Sequence, residues 1–139
     1  MRLILALCLL AAPASAWEFT SIPVCTLSHA QDDIEVTVTY DPRLTDAYTL
    51  RMTRGTDWPI APVFGIRFDP GGPFISTNRH RTQGNTLSAS DSGFENVLTG
   101  LERNFLALAI VGDETLTIRL DGAAPEVAKF RACLVTPSV

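Results

Sequence analysis

The chain reads as a mostly-β protein: an antiparallel β-sandwich or partly open barrel with one or two short helices and one disulfide. Three observations predict this class. Apolar and polar residues alternate with period two in several short runs, the mark of strands buried on one face. Proline- and glycine-rich turns separate those runs, and helical segments do not alternate with them as a βαβ fold requires. Two cysteines, Cys25 and Cys133, stand near opposite ends of the segment that follows an apolar leader.

That leader comes first. Met1-Arg2 supplies a positive charge, Leu3 to Ala12 an apolar run, and Pro13-Ala14-Ser15-Ala16 a small-x-small ending. These are the three parts of a secretory signal peptide, and the run is shorter than the roughly 20 residues a membrane span needs. Cys8 is preceded by Leu7 and followed by more apolar residues, which is the wrong context for a lipidated cysteine. Cleavage after Ala16 predicts a single β-rich domain over residues 17–139, periplasmic or secreted, with no membrane insertion after processing.

Trp17 to Pro23 reads as a short lead-in with Trp17 and Phe19 alternating. Ile34, Val36, Val38 and Tyr40 alternate with Glu35, Thr37 and Thr39, predicting a half-buried strand that Asp41-Pro42 ends. Tyr48, Leu50 and Met52 alternate with polar residues and predict its hairpin partner. After the punctuated stretch Trp58-Pro59-Ile60-Ala61-Pro62, the residues Phe64, Ile66 and Phe68 share a face, and Asp69-Pro70-Gly71-Gly72 marks a turn. Phe74 to Thr77 and Thr86 to Ser90 predict two more short strands. Phe94, Val97, Leu98 and Leu101 fall at helical spacing, with Asp91 or Ser92 available as a cap and Gly100 weakening the end. Leu106 to Leu120, folded at Gly112-Asp113, predicts the clearest hairpin, and Pro125-Glu126 opens a last helical turn before Cys133.

With Cys8 removed in the leader, an even pair remains, and in an exported chain this predicts a Cys25–Cys133 bridge around nearly the whole domain. Two distant cysteines without a CxxC partner make a poor metal site. The formal charge of −4 becomes −5 once Arg2 leaves with the leader, and Lys129 is the only lysine. An acidic chain without a basic stretch longer than Arg79-His80-Arg81 excludes a nucleic-acid partner, since phosphate contacts need clustered cations.

No catalytic, cofactor or calcium-loop signature is present. Arg79-His80-Arg81, flanked by Asn78 and Gln83-Gly84-Asn85, reads as an exposed loop. There two guanidiniums can hold a carboxylate or phosphate, and His80 can serve as a neutral base. Ser28-His29 is not a dyad merely by adjacency, and His29 reads as a loop residue beside the bridge. Asp41, Asp46, Asp57 and Asp69 lie at turn positions, where aspartate serves the backbone. Trp58, next to proline, reads as an aromatic on a ligand-facing loop.

From Phe94-Glu95-Asn96-Val97-Leu98-Thr99-Gly100-Leu101 through the last hairpin to the Asp121–Phe130 stretch and Cys133, the chain resembles the tail of the invasion-associated locus B-like proteins of proteobacteria. That resemblance implies a small exported β-rich domain and transfers no catalytic residue. The Trp17-Glu18-Phe19 start and Phe130-Arg131-Ala132-Cys133 ending are similar to a group of short exported proteobacterial proteins, some of which carry the name of an ABC excinuclease component. That activity does not follow here, because the chain has no GxxxxGK[ST] phosphate loop and no basic face. The expected function is a periplasmic, non-enzymatic binding or interaction module for a protein or a small anionic ligand. The alternatives are a small hydrolase using His80 with a loop carboxylate, and an inhibitor of a cell-wall lytic enzyme whose acidic surface meets a cationic target.

Overall fold

A computed structural model describes residues 17–135 of the protein; the expected leader, residues 1–16, lies outside the described residues, as do residues 136–139. The chain forms a two-layer antiparallel sandwich with two helices, in line with the predicted class. The first sheet contains β1 (Trp17–Thr20), β2 (Cys25–Gln31), β3 (Ile34–Tyr40), β4 (Tyr48–Thr53), β7 (Arg81–Gln83) and β8 (Thr86–Asp91). Its strand order is β1-β2-β3-β4-β8-β7. The second sheet contains β5 (Phe64–Asp69), β6 (Phe74–Thr77), β9 (Leu106–Val111) and β10 (Glu114–Arg119), in the order β10-β9-β5-β6. Helices α1 (Glu95–Arg103) and α2 (Ala123–Leu134) complete the fold.

Both predicted hairpins form. In β3 and β4, Val38 faces Leu50 and Val36 faces Met52; in β9 and β10, Ala107 faces Ile118. Gly112 occupies the left-handed region at φ 58° in the β9–β10 turn, a conformation open to glycine at little cost. Inward-facing Val38, Leu50, Met52 and Leu87 of one sheet meet Ile66, Phe68 and Ala109 of the other. Trp17, Phe68 and Phe130 are the largest fully buried side chains.

Several expectations are corrected. Trp17–Thr20 is a strand rather than a lead-in, paired along β2 from Trp17–His29 to Thr20–Thr26. His29 is not a loop residue: it lies in β2 and is 2% exposed. Arg81 opens the short strand β7, whose hairpin with β8 turns at Gly84, φ 59°. Helix α1 begins after Phe94 with no side-chain cap, because the Asp91 carboxylate accepts from the Ser92 backbone N–H instead. That helix does not stop at Gly100 but continues to Arg103, and a Cβ at position 100 would run into the Phe68 ring. The last helical segment is a full twelve-residue helix. The predicted bridge is present, joining Cys25 of β2 to Cys133 of α2 with Cα atoms 6.1 Å apart.

Candidate functional site

The two sides of the sandwich are finished differently, and this locates the site. At the β1–β2 side, side chains of the first sheet occupy the backbone of β10, the terminal strand of the second sheet. Trp17 Nε1 donates to the Arg119 carbonyl (2.9 Å), Gln31 Nε2 donates to the Thr117 carbonyl (2.8 Å), and the Arg119 N–H donates to Gln31 Oε1 (2.8 Å). His29 Nε2 lies 2.8 Å from that same amide oxygen. Because the oxygen can only accept, the His29 proton sits on Nε2. Its ring stacks on Trp17 with centroids 4.5 Å apart. The Gln31 carboxamide is therefore satisfied and a strand edge is covered, while His29 Nδ1 is buried without a hydrogen-bond partner among the described residues. Helix α2 and the disulfide close the same side.

The opposite side is open. Strand β7 is three residues long and pairs only with Thr86–Ser88, so among the described residues β8 has no neighbour on that side from Ala89 to Asp91. Strand β6 ends the second sheet. Among the described residues no hydrogen bond joins β6 to β8. Between these two strands lies a cleft of about 370 Å³. Leu50, Phe64, Ile66, Ile75, Phe94 and Val97 line its interior. Ser76, Thr77, Ser90, Asp91, Glu95 and Asn96 line its rim. An apolar interior beneath a rim of hydroxyl, amide and carboxylate groups is the usual constitution of a small-molecule pocket, and the volume falls within the roughly 300–1,000 Å³ typical of such sites.

Both rim carboxylates are engaged. The Arg131 guanidinium of α2 binds Glu95 through Nη1 at 2.9 and 2.8 Å and also meets Glu102 at 3.2 Å. Hydrogen bonding from Arg131 holds the Glu95 carboxyl below its ordinary value. Asp91 pairs with Arg79 at 3.6 Å, both largely solvated. Beside the cleft, Tyr48 stacks on Phe94 with centroids 5.3 Å apart, and burial pushes its phenol pKa upward.

The residues singled out in the sequence part company. Trp58 is not a ligand-facing loop aromatic; it is 4% exposed. Its Nε1 donates to the Met52 carbonyl (3.2 Å), and the Arg54 guanidinium covers its ring at 3.9 Å. Arg54 also binds the Asp57 carbonyl (2.7 Å) and Glu114 (2.8 Å), which ties this loop to the β9–β10 turn and shuts the indole in. His80 turns inward from its neighbours. Its Nε2 donates to the Ala61 carbonyl (3.0 Å), its Nδ1 is buried without a hydrogen-bond partner among the described residues, and its ring leans on Phe64 at 6.1 Å. Among the described residues no carboxylate bonds His80, so the acid–base pair a hydrolase would need is not assembled on it.

Arg79 and Arg81 remain exposed. Together with Arg51 they line an open groove of about 560 Å³ on the outer face of the six-stranded sheet. Arg51 could have been found from the sequence, because it lies on the outward face of the predicted Tyr48–Thr53 strand. Its meeting with Arg79 and Arg81 depends on β4 and β8 being neighbours, which alternation alone does not reveal. Asp41 and Asp69 behave as turn residues: Asp41 accepts from the Arg43 N–H and guanidinium, and Asp69 ends β5 at a cis peptide bond to Pro70. Among the described residues no group of three His, Cys, Asp or Glu side chains is arranged to hold a metal ion, and no helix is long and apolar enough to cross a membrane. No protein-family model, curated protein or solved structure matches the chain.

Proposed function

We propose that the protein is an exported, non-enzymatic binding module, working in the periplasm or outside the cell, that takes a small ligand with an apolar body into the cleft between β6 and β8. The single observation that carries this reading is the cleft itself. It is an apolar space of about 370 Å³ between two strands that no hydrogen bond joins among the described residues, in a molecule whose other side is thoroughly closed. The signal-like N-terminus and the disulfide support export. A rigid two-sheet scaffold with few charged groups inside favours holding a ligand over transforming it.

The test is titration with 1-octanol followed by amide chemical shifts. Binding is expected to move Ile75, Ala89 and Asn96 and to leave β1 and β2 unmoved. Ala89→Phe, which places a ring in the cleft, should abolish these shifts while the rest of the spectrum stays folded. Equal shifts in the native protein and in Ala89→Phe would sink the proposal.

A further inference from the structure

The groove beside the cleft says more about the ligand. Arg51, Ser88 and Arg81 form one row across β4, β8 and β7, because Arg51 and Arg81 each pair in register with Ser88. One step along, Thr49 and Ser90 face each other with their hydroxyls 2.9 Å apart. Arg79 reaches the same groove from the β6–β7 connection. Along its lining, three guanidiniums stand against a single carboxylate, Asp46. Among the described residues neither Arg51 nor Arg81 makes an ion pair with a carboxylate, and both are exposed on an acidic protein. Unneutralised guanidiniums interleaved with hydroxyl donors form a site for an oxyanion.

This groove and the cleft lie on either side of the free stretch of β8 and share one lining residue. Ser90 borders both, and the Arg79–Asp91 pair stands between them. That pair is long, at 3.6 Å, with side chains 66% and 49% exposed, so it is readily exchanged for a competing anion. We infer that the ligand is a small amphipathic oxyanion, a carboxylate or phosphate monoester free in solution, with its apolar part in the cleft and its head among Arg51, Arg79 and Arg81. The inference rests on the binding reading above and adds the chemical class to it. Charge complementarity selects the sign: a cation would meet three guanidiniums, and a neutral amphiphile would leave them unused.

The experiment compares octanoate, octyl phosphate and 1-octanol by calorimetry on the mature native protein. It repeats the series on Arg51→Gln/Arg81→Gln, on Asp46→Asn and on Ala89→Phe. Losing a charge-assisted hydrogen bond weakens binding by about tenfold or more. Octanoate and octyl phosphate should therefore bind at least about tenfold more tightly than octanol, with an advantage that shrinks as salt rises. The double arginine variant should erase that advantage and leave octanol affinity unchanged. Asp46→Asn, which removes the opposing carboxylate, should tighten the anions alone. Ala89→Phe should abolish all three.

If octanol binds and is blocked by Ala89→Phe while octanoate gains nothing, the anion inference falls and the cleft reading stands. An octanoate advantage that survives the double arginine substitution also overturns it. Tighter binding to anionic phospholipid vesicles than to octanoate overturns it too, by assigning the arginines to a membrane surface. If no probe binds in a way that Ala89→Phe blocks, both readings fall.

Discussion

The β1–β2 side and the β6–β8 side of this sandwich solve the same problem in opposite ways. On the first, an indole and a carboxamide of one sheet bind the backbone of β10, an imidazole bonds that carboxamide, a helix lies over the strands, and a disulfide fastens that helix down. On the second, β7 stops after three residues, β8 runs on without a neighbour among the described residues, and the facing apolar side chains enclose a cleft. The difference teaches where the fold is fastened and where it leaves room for the proposed ligand. Bonds that span the sheets concentrate on one side, which frees the other from having to close.

The largest effect expected from disturbing this division comes from the disulfide. Replacing Cys25 and Cys133 with alanine releases a loop closed over a sequence separation of 108 residues. By the chain-entropy argument this costs about 4.7 kcal/mol. Urea unfolding should show that loss, with little change in octanol affinity for the fraction that remains folded. A comparable loss of affinity would mean that the two sides are not independent.

Gln31→Leu is next. It strips a partner from the Thr117 carbonyl, the Arg119 N–H and the buried His29 Nε2 at once. Unsatisfied buried groups cost about 1–3 kcal/mol each, and partial access to water at the β10 edge brings the expected total to about 3 kcal/mol. Gly100→Ala follows at about 2 kcal/mol, because its methyl group drives into the Phe68 ring between α1 and β5. Ala89→Phe on the open side should change stability by less than about 0.5 kcal/mol while abolishing ligand binding. Denaturant midpoints for the three variants test that order, and it is contradicted if Ala89→Phe proves the most destabilised.

The smallest effect concerns pH. Arg131 holds the exposed Glu95 carboxyl below its ordinary 4.5, so the ionised form is favoured in the folded state. The stability contributed is fully present above pH 4.5 and is lost as pH falls through the lowered folded value. Thermal melts of Arg131→Gln should therefore lie closer to native at low pH than at about pH 7. A constant gap between the two proteins across that range would show that Glu95 is not the group involved.

The legible parts of the fold are those where alternation is pure. Ile34–Tyr40 against Tyr48–Thr53 places apolar residues at every inward position. Leu106–Val111 is apolar throughout and was legible through its Gly112-Asp113 turn, but it buries Ala107, Ala109 and Val111 rather than the larger Leu106, Leu108 and Ile110. Strand β2 escaped because its inward positions are Cys25, Leu27, His29 and Gln31, and the last two look like surface residues until their mutual bonding is seen. Strand β7 carries no large apolar residue, so it has no signal to read. Trp58 misled because the proline beside it is a loop signal, while the bonds that bury it come from Met52 and Arg54. Arg79 and Arg81 were visible as a basic pair, but His80 between them points elsewhere and Arg51 joins them across the sheet. The cleft was not legible, because Leu50, Phe64, Ile75 and Phe94 are ordinary core residues until one strand falls short of its neighbour.

Native-state hydrogen exchange of the mature protein, with and without octanoate, tests the division of the two sides most directly. The account predicts that the amides of Ile75–Thr77 and Ala89–Asp91 that do not bond β5 or β4 exchange quickly in the free protein and gain protection with ligand. The ladder-bonded amides of β1, β2 and β10 and the Arg119 amide held by Gln31 are protected throughout and do not change. Uniform protection across both sides, or a ligand effect that appears at β10 and not at β8, would contradict it.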